Sequence, residues 1–347
     1  MKHLLTTAAV IAATAIPAHS ATLTETFTSF FAFGDSLTDD GKLGRLNAPS
    51  LGGRFSNGRV YAEIIADEFD QSGGDTGNLA LGGATASDVN PNAFSALSTF
   101  TGQIATFAGA LATGTPLPTS LVVPTDPSLP GPDTGDNPLL SVFFGANDFF
   151  NAVDPFVPQD FVALASSTAD AVTDGIRDLA ALGPQFDDFL VVGLPDISDT
   201  PAFFGSQLAF DFTNDFNERL LGNIGELEDD DLNITFFDSD AVFQDVIASV
   251  EDGSFEFGIT DATSFCTASF NGPDPGTSCL DDGINPDTLL FGDSVHPSGS
   301  VQALFADRVL AQLDAELNPV PLPASMSFLL LGLAGFGAAR FRKTKQA

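Results

Sequence analysis

The chain has 347 residues, with 46 acidic against 12 basic side chains, a formal net charge of −34, 34 phenylalanines, one tyrosine and no tryptophan. That length accommodates one large α/β domain with a substantial core. So strong an acid excess repels nucleic acid and anionic lipid headgroups at low salt, and no nucleic acid is expected as a partner.

Residues 1–20 read as an export signal. Lys2 supplies the positive start, Leu4 to Ile16 an apolar stretch, and Pro17-Ala18-His19-Ser20-Ala21 the small residues of a cleavage site. The mature domain is expected over 21–318. Neither end segment holds an Asp or Glu, so this domain is more acidic than the whole chain. Its acidity suits a salty exterior, where screening shortens the repulsion, and it serves equally as a solubility device.

Short apolar runs then alternate with helical patterns, the signature of a parallel sheet flanked by helices. Ser29 to Phe33, Leu139 to Phe144, Phe189 to Val192 and Ile234 to Phe237 have the length of buried strands, and each stops at Gly or polar residues. A further strand is expected near Asn78 to Leu81. Helices are expected over Arg59 to Phe69 and Val301 to Leu317. A third is read from Phe161, Leu164, Thr168, Val172, Ile176 and Leu179, a pattern that Gly183-Pro184 ends. Thr113 to Pro138 is dense in Pro, Gly, Ser and Thr and reads as a surface insertion or lid-like loop. The acidic run Glu226 to Asp231 reads as a helix end turning into the next strand, not as a calcium loop.

Cys266 and Cys279 are the only cysteines. In an exported chain, two cysteines thirteen apart are expected to form a disulfide that staples the turn-rich loop between them. No His or further Cys lies near enough for a metal site.

Of three histidines, His3 and His19 lie in the signal, leaving His296 alone in the mature chain. It follows Asp293 by three residues in Asp293-Ser294-Val295-His296-Pro297, and a carboxylate so placed can orient an imidazole base and stabilise its protonated form. Ser36 is the matching nucleophile candidate, directly after a strand in Gly34-Asp35-Ser36-Leu37-Thr38. Alone, that turn passes equally for a helix cap.

Four segments in order carry a resemblance to the GDSL, or SGNH, hydrolases. They are Phe33-Gly34-Asp35-Ser36-Leu37-Thr38-Asp39, Asn78 to Thr85 with its paired glycines, Gly145-Ala146-Asn147-Asp148, and Asp293 to Pro297. Arg54 to Val60 and Leu194-Pro195-Asp196 add weaker support from the extracellular lipase-like branch. The resemblance implies a three-layer α/β/α sandwich with a mainly parallel, flavodoxin-like sheet. It implies Ser36 as nucleophile, with Asp293 and His296 completing a triad. It implies an oxyanion hole of the Ser36 and Gly83 backbone N–H groups and the Asn147 side-chain amide. Gly82 reads as a tight bend, and Asp35 and Asp148 as fasteners of the loops around Ser36 and Asn147. The mechanism requires no metal and no organic cofactor. The basic cluster Lys42, Arg45, Arg54 and Arg59 reads as balancing local carboxylates before it reads as an anion site.

Residues 319–347 resemble a PEP-CTERM sorting signal in its Val-Pro-Leu-Pro-Ala variant. Val320 to Ser325 leads into an apolar run, Met326 to Ala339, and a basic tail, Arg340 to Lys345. The run is short beside the ~17 to 25 residues of a usual span, and a plain membrane anchor is the alternative. The resemblance implies an exosortase-type processing enzyme at the cell envelope. The expected protein is an exported serine esterase or lipase acting on a lipid, a short-chain ester or an acetylated polysaccharide. The alternative is a surface or matrix polysaccharide-binding protein on a hydrolase-derived scaffold.

Overall fold

The computed structural model describes residues 22–44, 53–153, 159–266, 279 and 283–318. The chain divides into a main body, Leu23–Leu313, and a unit made of both end segments, Met1–Thr22 and Asp314–Ala347. The segments expected to be an export signal and a C-terminal sorting signal lie outside the described residues, as does Arg45. Among the described residues, no helix is long and apolar enough to cross a membrane.

Five parallel strands form the sheet: β1 (Ser29–Gly34), β2 (Asp75–Asn78), β3 (Pro138–Phe143), β4 (Asp188–Val192) and β5 (Asn233–Phe237). Their order is β2-β1-β3-β4-β5. The chain therefore leaves β1 in one direction and returns to its other side at β3. The carboxyl ends of β1 and β3 flank the switch point where such sheets bind ligands.

The helices are α1 (Leu23–Thr26), α2 (Tyr61–Ser72), α3 (Phe100–Thr113), α4 (Ala146–Ala152), α5 (Phe161–Ala180), α6 (Gln207–Asp229), α7 (Ser239–Glu251) and α8 (Gly299–Leu317). Phenylalanine alternation along β1 sorts the layers, because successive side chains of a strand point to opposite faces. Phe30 stacks on Phe69 of α2, whereas Phe31 and Phe33 meet Phe107 of α3. Phe143 of β3 packs against Tyr61 of α2 and Phe305 of α8, and Phe144, next along the chain, against Phe100 of α3. Thus α2 and α8 cover one face and α3 the other. Helix α5 packs beside α3, where Gly175 leaves room for the Phe100 ring. Helices α5 and α6 are joined through Asp170 and Thr173 to Arg219 and Asn223.

Four strands fall where the apolar runs place them. The fifth is corrected: β2 covers Asp75–Asn78, not Asn78 to Leu81. The apolar residues after it still extend the ladder, since the Leu79 N–H donates to the Ala32 carbonyl (2.7 Å) and the Leu81 N–H to that of Gly34 (3.1 Å). In α5 the expected stripe is buried from Thr168 to Leu179, and Asp160 caps its start through the Ala163 N–H. The acidic run closes α6 just before β5.

The segment from 115 to 137 has no helix or strand. It lies along the edge strand β2: the Asp133 N–H donates to Asp75 (2.7 Å), and Leu117 sits where a Cβ on Gly77 would fall. Covering an edge in this way blocks pairing with another chain. With α2 and β2 it encloses a cavity of about 370 Å³.

Candidate active site

Ser36 begins the loop that follows β1, and its position is set from several sides. Gln103 of α3, fully buried, accepts from the Gly34 N–H (3.0 Å) and donates to the carbonyls of Gly34 (2.8 Å) and Leu97 (2.9 Å). Asp35 accepts from the Leu37 N–H (3.0 Å), turning the chain at Ser36. Asp39 accepts from the N–H groups of Gly41, Lys42 and Gly82, joining the nucleophile loop to the glycine block.

The His296 Nε2 lies 2.7 Å from the Ser36 Oγ, and its Nδ1 lies 2.8 Å from the Asp293 Oδ2. The other Asp293 oxygen accepts from the backbone N–H groups of Val295 (2.8 Å) and His296 (2.7 Å). All three side chains are buried, Ser36 retaining 8% exposure. Burial pushes the Asp293 carboxyl up. The charge of His296 and the hydrogen bonds from His296 and Val295 outweigh this, so the carboxyl stays below its ordinary value.

Segment Arg54 to Val60 holds the loop that carries His296. The Ser56 hydroxyl donates to the Pro297 carbonyl (3.2 Å), and Asn57 accepts from the Gly299 N–H (2.8 Å). The Phe55 ring lies 5.2 Å from the imidazole. Beyond that segment, the Ala202 N–H donates to the Ser294 carbonyl (2.9 Å), bracing the same loop from the side of β4.

The glycine pair divides its roles. Gly83 has φ +82° and open space where a Cβ would stand, so its glycine character is a backbone requirement. A Cβ on Gly82 would enter the Phe55 ring, so there the requirement is packing. Gly145, with φ +130° and enclosed by Phe216 and Leu194, turns β3 sharply into α4. That turn places Asn147 in the first turn of α4. The Asn147 Nδ2 donates to the Asp35 Oδ2 (3.2 Å) and to the Ala84 carbonyl (3.1 Å). Asp148 accepts from the N–H groups of Ala86 (2.9 Å) and Ser87 (3.1 Å) and from the Ser87 hydroxyl (2.6 Å). Ser36, Asp293, His296 and Asn147 are thus linked through Asp35 and the loops about it.

Asp35 is one of three buried acids of the site whose carboxyls burial raises. Burial raises its carboxyl to about 7, with Asp148 adding to the rise; the Leu37 N–H, the His296 charge and the Asn147 amide oppose it. Burial also raises Asp39 and Asp148.

Among the described residues, the basic side chains of the first hundred positions are occupied. Lys42 is fully buried and bonds Asp40 (2.7 Å) and Asn78 (3.3 Å). Arg54 pairs with Glu63, and Arg59 with Asp67. Cys266 and Cys279 are joined by a disulfide, with Cα atoms 4.9 Å apart. Among the described residues no group of three or more His, Cys, Asp or Glu is arranged to hold a metal ion. Gln103 is not legible in the sequence, for a lone Gln in an Ala- and Gly-rich helix carries no motif.

A pocket of about 30 Å³ opens at Ser36 and His296, walled by Ala146, Phe150, Leu194 and Ile197 among others. No residue of the Pro-rich segment lines it.

A parallel sheet with a serine, an imidazole and a carboxylate in hydrogen-bonded sequence beyond its carboxyl edge defines the class: a hydrolase of the esterase type. The chain belongs to the GDSL-like lipase/acylhydrolase family, whose sequence profile matches residues 30–309. A GDSL esterase/lipase of Arabidopsis thaliana is 26% identical over 338 residues, covering 84% of this chain and 90% of that one. An uncharacterized protein of the trpE-trpG intergenic region of Pseudomonas putida is 24% identical over 327 residues, covering 86% of this chain and 50% of that one. Among solved structures, a carbohydrate acetylesterase from Sinorhizobium meliloti aligns with a TM-score of 0.43 at 14% identity, covering 83% of this chain and 98% of that one.

Proposed function

We propose that this hydrolase is an exported serine esterase that cleaves carboxylic esters through Ser36. The observation that carries the reading is the unbroken line from Asp293 through His296 to Ser36, at 2.8 and 2.7 Å. His296 removes the Ser36 proton as Oγ bonds to the ester carbonyl carbon. The tetrahedral oxyanion draws on the N–H groups of Ser36 and Gly83 and on the Asn147 amide. For this, Asn147 shares or releases one of its two present bonds. The C–O bond to the alcohol then breaks and the alcohol leaves with the proton held on His296. Water, activated by the same imidazole, frees the acid and restores Ser36. Asp293 fixes the ring and stabilises its charged form.

The substrate class is a carboxylic ester: a lipid, a short-chain ester or an acetylated polysaccharide. Export is supported by the order of charge, apolar stretch and small residues over 1–20, and by the disulfide, which belongs to oxidising compartments. Retention at the envelope through residues 319–347, with processing by an exosortase-type enzyme, follows from the motif there. A binding role without turnover gains nothing from this hydrogen-bonded line.

The test uses the exported protein with p-nitrophenyl acetate or butyrate and a fluorophosphonate probe. The wild type is expected to turn over the ester and to be labelled. Ser36→Ala is expected to lose labelling and to lose activity by about 10³-fold or more. Full activity in Ser36→Ala would sink the assignment.

A further inference from the structure

The pocket at Ser36 has a second chamber behind it. The outer chamber, about 30 Å³, contains the Ser36 and His296 side chains. The inner one, about 10 Å³, lies between Phe143 of β3 and Val301, Gln302 and Phe305 of α8. Four residues border both chambers: Leu37, Pro195, Phe243 and Pro297. Leu37 is held by the nucleophile loop, and the two prolines are part of the loops that form the walls. Phe243 alone comes from a helix, α7, and its buried ring also packs against Phe291, 6.2 Å away.

We propose that Phe243 closes the acyl end of the Ser36 pocket and restricts the enzyme to esters of short acyl groups, acetyl above all. This deepens, and depends on, the reading of Ser36 as nucleophile. The outer chamber is walled mainly by apolar side chains, so it suits hydrocarbon and not a sugar, leaving the alcohol part of the ester to the open side. A cavity needs roughly 10–15 Å³ in this measure to hold one water, so the outer chamber takes about two or three heavy atoms. An acetyl group fits that limit. A longer chain must pass between Leu37 and Phe243 into an inner chamber with room for one water at most. The inner chamber also offers a substrate no ready hydrogen bond, because Gln302 is engaged. Its Oε1 accepts from the Tyr61 N–H (2.9 Å), and its Nε2 donates to the Leu37 carbonyl (3.3 Å). Removing the Phe243 ring joins the two chambers into one slot.

The experiment compares kcat/KM for p-nitrophenyl acetate, butyrate and octanoate in the wild type and in Phe243→Ala. The wild type is expected to fall by at least about tenfold from acetate to octanoate, and Phe243→Ala to raise the octanoate-to-acetate ratio by about tenfold or more. Phe243→Leu, which keeps a buried apolar side chain, is expected to shift the ratio the same way by less, and it carries the test if the Ala variant does not fold. A flat chain-length profile in the wild type overturns the proposal. So does an unchanged ratio in a variant that the fluorophosphonate still labels; both outcomes leave Ser36 as nucleophile. Folded wild-type protein that neither reacts with the probe nor cleaves any of the three esters overturns the nucleophile reading, and the acyl slot with it.

Discussion

Two adjacent glycines show how one residue type answers to two physical demands. Gly83 stands in a left-handed backbone conformation with free space around it. Gly82 lies in contact with Phe55, whose ring neighbours His296. Gly82→Ala is therefore expected to lower stability by about 1–3 kcal/mol through overpacking and to displace Phe55 from the imidazole. Adding Phe55→Leu should recover much of that stability, because the smaller side chain makes room for the new methyl group. Gly83→Ala should gain nothing from Phe55→Leu, since its difficulty is backbone conformation. Thermal melting of the two single variants and two double variants decides the point; equal rescue of both would show the division to be wrong. The sequence marks both glycines as one block and carries no sign that Phe55, twenty-seven positions earlier, distinguishes them.

At the scale of elements, the nucleophile loop depends on a helix that carries no catalytic motif. Gln103 joins α3 to the last residue of β1 through both its amide atoms. Gln103→Leu keeps approximate size but leaves the Gly34 N–H and the Leu97 carbonyl buried without this partner. It is expected to cost at least about 2 kcal/mol in urea unfolding. It should also lower kcat more than stability alone predicts, as Ser36 loses its anchor. Unchanged unfolding in Gln103→Leu would refute the role. The strands β1, β3, β4 and β5 were legible because buried parallel strands need uninterrupted apolar runs. Strand β2, Asp-Thr-Gly-Asn, was not: it sits at the sheet edge under the Pro-rich segment, where no such run is required. Helix α3 escaped notice for a related reason, since its Ala, Gly and Thr residues give little contrast between faces. The side chains of Ser36, Asp293 and His296, which the fold brings into hydrogen-bonded line, are the most legible part, for their types follow from the chemistry proposed for them. The residues that hold them, Gln103 and Phe55, are dictated by packing that only the folded chain shows.

The whole molecule carries its acidity inward as well as on its surface. Asp35, Asp39 and Asp148 are all pushed up by burial, Asp35 to about 7. Between the unfolded value of 3.8 and these higher folded values, the native state keeps protons that the unfolded chain has released. The contribution of these groups to stability is therefore complete below the unfolded value and is lost as pH rises through the folded ones. Asp293, held low, acts in the opposite sense but only in more acid solution. Rising negative charge adds self-repulsion in the same direction as the raised acids. The melting temperature is expected to fall as pH goes from about 5 to about 8 at fixed salt, and Asp35→Asn to flatten that slope. A melting temperature that climbs across this window would contradict the assignment of Asp35 as a buried, proton-retaining acid.

Ser36 and His296, proposed as nucleophile and base, stand 260 positions apart, one just after β1 and the other just before α8. During synthesis, the serine and strands β1 to β5 emerge before the imidazole does. A polypeptide halted anywhere ahead of residue 296 can hold β1 to β5 and still lack the group proposed to deprotonate Ser36. On the proposed mechanism, reactivity is thus withheld until His296 has been added. If the chain is exported as proposed and folds afterwards, the proposed ester-cleaving centre first comes together on the far side of the membrane, away from the lipids and thioesters of the cell that made it.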